Sequence, residues 1–156
     1  MTVTEINTST FLSDLIIFIR DDLLSNITDP ISASRMAGRD FKFVQTSYPT
    51  RGTQYPLITV VDNNSVMSRL GMRSTQMAVN VKIEIRVWAR KIPEKDELAQ
   101  SIVNRLRGQQ FTGADYSDTV GFHDLDIISM VNVDEPGEEG IKSKVITIGG
   151  LIIIGG

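Results

Sequence analysis

The sequence predicts an α+β fold, an antiparallel sheet with two helices packed on one face, in the order α-β-β-α-β-β. Two segments repeat apolar residues with helical spacing, and four segments have the alternating or β-branched character of strands. With 156 residues, 41% of them hydrophobic and 22% charged, the chain is typical of a soluble globular domain with a sizeable core. We therefore expect a single domain over residues 1–156.

The first predicted helix covers Phe11–Asn26, where apolar residues recur every three or four positions. Thr8 or Ser9 is the expected cap, and a proline soon after the helix ends it, because a residue before proline disfavours the helical conformation. Residues 30–54 are rich in Ser, Gly, Arg and Pro. We interpret them as mostly extended loop, with one short strand-like piece at Phe41–Val44.

Two strands and a helix are predicted in the middle of the chain. Tyr55–Val61 is β-branched and aromatic, and the polar segment Asp62–Thr75 after it is interpreted as a connection. Val79–Ala89 alternates apolar with mainly charged side chains, which predicts a long strand with one buried face. The second helix is expected over Pro93–Arg107, ending at Gly108.

The last third of the chain returns to strand character. In Leu125–Val133 a mainly apolar set at every second position alternates with Asp126, Ile128, Met130 and Asn132, and Glu135–Gly140 contains a Pro-Gly pair typical of a turn. Lys142–Ile154 is predicted as a final strand that is broken at Gly149 and Gly150.

The residue types argue against metal and catalytic chemistry. The chain has no cysteine, which excludes disulfides, thiolate metal sites and cysteine nucleophiles, and its one histidine is His123. Asp124 and Asp126 make a weak candidate acid–base or metal site with it, and we interpret them as an ordinary exposed strand face. Acids at the start of the second helix suit the positive end of the helix dipole. We expect no cofactor and no metal.

The charge is distributed unevenly along the chain. Residues 1–107 contain fourteen Lys and Arg against eleven Asp and Glu, whereas residues 108–156 contain two against eight. A basic side and an acidic side would suit head-to-tail association of copies. Nucleic-acid binding stays open as an alternative, because basic residues are frequent in loop-like sequence: Arg35, Arg39, Lys42, Arg51, Arg69 and Arg73.

The apolar stretch Leu151–Ile154 has hydrophobic side chains on both strand faces. Either it is a central strand of the domain's own sheet or it is buried against a neighbouring subunit. Trp88, alone on a charged strand face, slightly favours the second possibility. The candidate residues for a subunit or partner interface are Arg51, Arg69, Arg73, Trp88, Leu151, Ile152, Ile153 and Ile154.

Neither apolar stretch of the chain suits a targeting or membrane segment. Phe11–Leu24 is interrupted by charges and lacks a basic leader, and Ile146–Ile154 is far shorter than the ~20 residues that span a bilayer. We expect the protein to stay in the compartment where it is made, with no membrane contact.

The combination of segments over about residues 10–154 resembles the tail terminator, or tail completion, proteins of long-tailed phages and related viruses. The arginine-bearing loop 30–54 departs from the most compact members. The stretches that carry the resemblance are the helix Phe11–Asn26, the strand Tyr55–Val61, the strand Val79–Arg90, the helix Glu94–Arg107 with its Leu98, Ile102 and Leu106 stripe, and the two closing strands.

This resemblance implies a non-enzymatic, structural role in the virion. Such proteins form a ring, usually of six copies, that caps the tail tube, ends its polymerisation and joins the tail to the head-side connector. The implied partners are other copies of the chain, the tail tube protein and a head-side connector or neck protein. The implied location is the virion tail or neck, after assembly in the host cytoplasm.

The resemblance also implies that DNA passes through the ring without sequence-specific binding. Acidic side chains are expected on the channel wall, because basic ones would retard the polyanion. The candidates are Asp115, Asp118, Asp134, Glu135, Glu138 and Glu139. Three alternatives stay open: a head-closure or other neck protein of the virion, and, from different classes, a small enzyme or a nucleic-acid-binding regulator.

Overall fold

A computed structural model describes residues 10–38, 41–48, 54–69, 76–112, 116–117, 120–134 and 140–154. The helices are α1 (Phe11–Asn26) and α2 (Ile92–Thr112). The strands are β1 (Val44–Gln45), β2 (Leu57–Arg69), β3 (Met77–Ala89), β4 (His123–Asp134) and β5 (Lys142–Ile154). The chain is α+β, as predicted, in the order α1-β1-β2-β3-α2-β4-β5.

The sheet is mixed and has five strands in the spatial order β1-β2-β3-β5-β4. Strands β2 to β5 pair antiparallel, whereas β1 runs parallel to β2, with Val44 opposite Ile58. The predicted wholly antiparallel sheet and the order α-β-β-α-β-β are therefore wrong by one strand. The short strand-like piece predicted at Phe41–Val44 overlaps β1 at Val44, but it was counted as part of a loop and not as a strand of the sheet.

Both helices pack on the same face of the sheet, as predicted. Leu15 and Ile19 of α1 and Ile102 of α2 are fully buried in one cluster with the apolar side of β3, including Ile83 and Ile85. Each such side chain contributes about 1.5–3 kcal/mol when it is removed from water. The core therefore lies between the helix layer and one sheet face.

Several element boundaries differ from the prediction, and three of the differences have a clear physical reason. The N-cap of α1 is Thr10, later than the predicted Thr8 or Ser9; its hydroxyl makes no capping bond to the helix backbone and instead donates to the Asp14 carboxylate over 3.0 Å. β2 continues through polar residues to Arg69, because the long apolar alternation of β3 holds an antiparallel partner of equal length. α2 runs through Gly108, since the next residue, Gln109, is buried and holds the helix against the chain beyond it.

β5 is continuous through its two glycines, so the predicted break is wrong. Gly149 and Gly150 keep their register opposite Lys82 and Val81 of β3. Their small size admits neighbouring side chains rather than interrupting the strand. β5 lies between β3 and β4, but of the apolar stretch only Leu151 pairs with both strands, whereas Ile152–Ile154 pair with β3 alone.

Candidate interaction surface

The sheet face opposite the helices, called the open face below, is where the described residues leave most of the strand side chains uncovered. In β3 the exposed Asn80 and Lys82 point to this face, and Glu84 and Arg86 are half-buried there. The sequence prediction of one buried and one mainly charged face for this strand is confirmed.

An aromatic and charged cluster covers one end of the open face. The Trp88 indole N–H donates to the Thr59 hydroxyl over 3.0 Å, and its ring meets the Tyr48 ring edge-on at 6.0 Å between centroids. The Arg86 guanidinium lies 5.0 Å from the Trp88 ring centre and donates to Glu84, which also accepts from the Tyr48 hydroxyl over 2.8 Å. Trp88 is therefore buried by its own chain, and a further contact with a partner stays a prediction.

Exposed apolar side chains lie on the open face and along the two sheet edges, where Met67 and Met130 point to the helix face. Only Ile153 was singled out from the sequence, because Val66 and Met67 lie in a polar segment and the β4 residues lie in a strand that was predicted to be half-buried. Exposed apolar side chains at an open sheet edge are candidates for a contact with another chain. The residues are Val66 and Met67 in β2, Ile128, Met130 and Val131 in β4, and Ile153 in β5.

Two edges of the sheet are open within the described part of the chain. β4 pairs with β5 on one side only, and β1 covers β2 only at Ile58 and Thr59. The stretch Ser129–Val133 of β4 contains no charged residue and no proline, the residue types that usually protect a strand edge. Such an edge favours pairing with another strand.

The predicted interface residues separate into distinct environments. Ile152 is buried in the core, Ile153 is half-exposed on the open face, and Leu151 and Ile154 are partly buried. Arg69 is the last residue of β2, and Arg51 and Arg73 lie outside the described residues. The structure therefore brings only part of the predicted set onto one surface.

The predicted channel-facing acids fall mainly outside the described residues. Asp134 is the last residue of β4. The others, Asp115, Asp118, Glu135, Glu138 and Glu139, lie in ranges that the structure does not describe. Their role stays a prediction.

The weak acid–base candidate is not assembled into a cluster. The Nδ1 atom of His123 lies 2.6 Å from the Ser117 hydroxyl, whereas Asp124 and Asp126 are exposed. A register shift between His123 and Asp126 and a positive φ of 55° at Asp124 interrupt the regular alternation that the sequence interpretation assumed. Within the ranges given above, no group of three or more His, Asp and Glu side chains is placed to hold a metal ion.

One of the loop arginines considered for nucleic-acid binding has a structural role. Arg35 makes a two-pronged ion pair with Asp29, donates to the carbonyls of Phe41 and Pro56, and lies over the Phe43 ring. Its guanidinium holds the loop against β2 and is not presented to solvent. Among the other loop cations, Lys42 is exposed.

The chain was compared with known families and with curated proteins. Neither comparison found a match. Of the two helices, neither combines the length and the apolar character needed to cross a membrane, a finding that covers the described residues.

Proposed function

We propose that the chain is the subunit of a ring that caps the tail tube of a long-tailed virus, ends polymerisation of the tube and joins the tail to the head-side connector. The proposal starts from the sequence resemblance over residues 10–154. The observation that carries it is the open face with its two open sheet edges, which bear exposed apolar residues. A closed ring needs two different complementary surfaces on each copy, and two unlike edges of one sheet meet that need.

The charge distribution supports the same arrangement. β4 carries Asp124, Asp126 and Asp134 with no lysine or arginine, whereas β2 ends in Arg69 at the opposite edge of the sheet. Opposite charges on the two contact surfaces favour association of unlike edges and disfavour association of like edges.

The channel belongs to the same proposal. Asp134 and the acids that follow it, Glu135, Glu138 and Glu139, give the ring an acidic segment at the end of β4. Placed on the inner wall, these carboxylates would let DNA pass without retaining it.

The mass of the purified full chain, with and without tail tubes of the cognate virus, tests this function. We expect a ring by negative-stain electron microscopy, located at one end of each tube. A compact monomer that binds no tube at any concentration contradicts the proposal. Stacking on a head-side ring instead of a tube would favour a head-closure or neck protein. Tight, salt-sensitive DNA binding that is lost on Arg69→Ala and Arg73→Ala would favour the regulator.

A further inference from the structure

We infer that neighbouring copies of the chain join by continuing one sheet into the next, with β4 of one copy pairing antiparallel with the free edge of β2 in the next copy. This inference deepens the proposed ring and rests on that function only in requiring that copies associate.

The first step is that both edges can accept a strand. β1 occupies β2 only at Ile58 and Thr59, so in the described part of the chain Val61–Arg69 has no strand on its outer side. Among the described residues, β4 likewise has no strand on its outer side. A row of uncovered N–H and C=O groups is a template for pairing, and main-chain hydrogen bonds supply the affinity.

The second step is that the bulges select the residues that can pair. β2 has a register shift just before Asn64, and β4 has one just before Ser129. The regular parts of the two edges are therefore Asn64–Arg69 and Ser129–Asp134, which have equal length. In the register argued next they overlap in five pairs, Asn64–Ser68 with Ser129–Val133, which is a usual length for a strand.

The third step is that the exposed apolar side chains fix the register. Val66 and Met67 are 61% and 48% exposed, and Val131 and Met130 are 53% and 44% exposed. On each strand the valine points to the open face and the methionine to the helix face, as their partners in β3 and β5 show. An antiparallel pairing that sets Val131 opposite Val66 also sets Met130 opposite Met67 on the matching face. A shift of one residue would put every side chain on the wrong face.

The fourth step is that the polar neighbours suit the same register. Asn132 falls opposite Ser65, Ser129 opposite Ser68 and Val133 opposite Asn64. All five pairs of the ladder are therefore uncharged, and no like charges meet. The end of β4 that carries Asp124 and Asp126 is directed toward the end of β2 that carries Arg69. Charge attraction therefore favours the orientation that the apolar pairs select.

Strand direction and charge favour this pairing over a symmetric one. Within one sheet β4 runs antiparallel to β2. When copies are related by rotation about a ring axis, the β2 of one copy is therefore antiparallel to the β4 of its neighbour. A two-fold pairing of β4 with β4 would bring Asp124 and Asp126 of one copy toward Asp134 of the other, without a lysine or arginine on either strand. Like charges opposite each other destabilise a strand pair.

The offset between copies is compatible with ring closure. Within one copy, Met130 is in register with Val60 through Ile146 and Ile85. In the proposed contact Met130 instead lies opposite Met67 of the next copy, so that copy is displaced by seven residues along β2. A closed sheet needs such a stagger, because its strands tilt by about 35–45° to the axis.

Single-cysteine variants of the full chain test the register directly, because the chain has no cysteine of its own. Val66→Cys protein is mixed with Val131→Cys protein under a mild oxidant, over a concentration series followed by light scattering. We expect a mixed disulfide dimer. The matched control replaces Val66→Cys by Ser68→Cys, on the same strand and the same face, and should give less than about a tenth of the mixed disulfide because its Cα is too far from that of Val131.

Each outcome decides the inference. A disulfide between two Val131→Cys copies in place of the mixed product overturns it in favour of a symmetric dimer. A wild-type oligomer whose cysteine variants give no mixed disulfide overturns the sheet pairing and leaves the ring proposal standing. A wild-type chain that stays monomeric, with no mixed disulfide, overturns the inference as well. A mixed disulfide together with tail tubes that grow normally supports the pairing and contradicts the proposed function.

A charge placed on the edge gives a second, independent measurement. Val131→Lys should raise the dissociation constant of the oligomer at least about tenfold, because a lysine at an edge opposes strand addition. Gln100→Lys on the exposed face of α2 adds the same charge away from both edges and should leave association unchanged. Thermal melting shows that both variants fold, and a Val131→Lys oligomer of unchanged affinity overturns the inference.

Discussion

The Phe122 ring lies directly against Gly150, so close that a Cβ at Gly150 would be 2.5 Å from two ring carbons and 2.9 Å from the His123 carbonyl oxygen. Phe122 is fully buried and precedes β4, whereas Gly150 lies in the middle of β5. The glycine therefore allows the chain entering β4 to pack onto β5, which positions the open edge of the sheet.

We expect Gly150→Ala to destabilise the chain by about 1–3 kcal/mol, because the ring and the backbone carbonyl must both move. Gly108→Ala is the matched control: it lies inside α2 with no atom within 4 Å of an added Cβ. It should stabilise the chain by about 0.5–1 kcal/mol through helix propensity. Urea unfolding of both variants measures the difference, and equal stabilities would show that the close approach of Phe122 is not a constraint.

Tyr116→Phe tests the contact that joins α1 to the chain before β4. The Tyr116 hydroxyl donates over 2.8 Å to Asp22, a buried carboxylate that also binds Arg105. Loss of a hydrogen bond to a buried charged group should cost about 1.5–3 kcal/mol. Tyr48→Phe removes an exposed hydroxyl bond to Glu84 and should cost less than about 0.5 kcal/mol. Chemical denaturation compares the two variants, and an equal loss would contradict the role given to Asp22.

Aspartate substitutions in β5 separate the core from the open face. Ile152→Asp buries an unpaired charge in the core and should destabilise the chain by about 4 kcal/mol or more. Ile153→Asp lies half-exposed on the open face and should cost about 1 kcal/mol or less while it weakens oligomerisation. Light scattering alongside thermal melting measures both effects. An unchanged oligomer mass for Ile153→Asp would show that this residue lies outside the contact between copies.

The contact between α2 and β5 predicts a pH dependence. The side-chain hydrogen bond from Lys144, 2.9 Å long, lowers the pKa of Asp96 below its usual 3.8, and the charges of Lys144 and Lys95 act in the same direction. Because the folded-state pKa is the lower one, the stabilisation is complete above 3.8 and is lost as the pH falls through the folded-state pKa. Lys144→Met should raise the pKa of Asp96 toward 3.8 and reduce this acid sensitivity.

Carboxyl NMR titration of the wild type and the variant measures that pKa. Lys82→Met, on the open face, removes the same charge away from Asp96 and serves as the control. An Asp96 pKa that is equal in all three proteins would contradict the assigned contact.

Long periodic segments of the fold were predictable from the sequence. α1 has the predicted bounds, and the alternation of β3 identified both the strand and its buried face. Local patterns cannot show partners, however. β2 extends through Asp62–Arg69 only because β3 lies beside it, and β1 exists only because Val44 lies against Ile58.

The interaction surface was less predictable than the fold. The apolar end of β5 was a visible signal, yet whether Ile152 or Ile153 is exposed depends on which face the helices cover. Val66 and Val131 gave no signal, because an exposed valine is ordinary until the sheet order places it at an open edge.

The growth of tail tubes in the presence of the full chain tests the proposed function most directly. Tubes of the cognate tail tube protein are elongated with increasing amounts of the chain, and their lengths and ends are recorded by electron microscopy. The proposal predicts that growth stops and that a ring of this protein occupies one end of each arrested tube. Tubes that keep their growth rate and carry no ring, at protein concentrations well above that of tube ends, would contradict it.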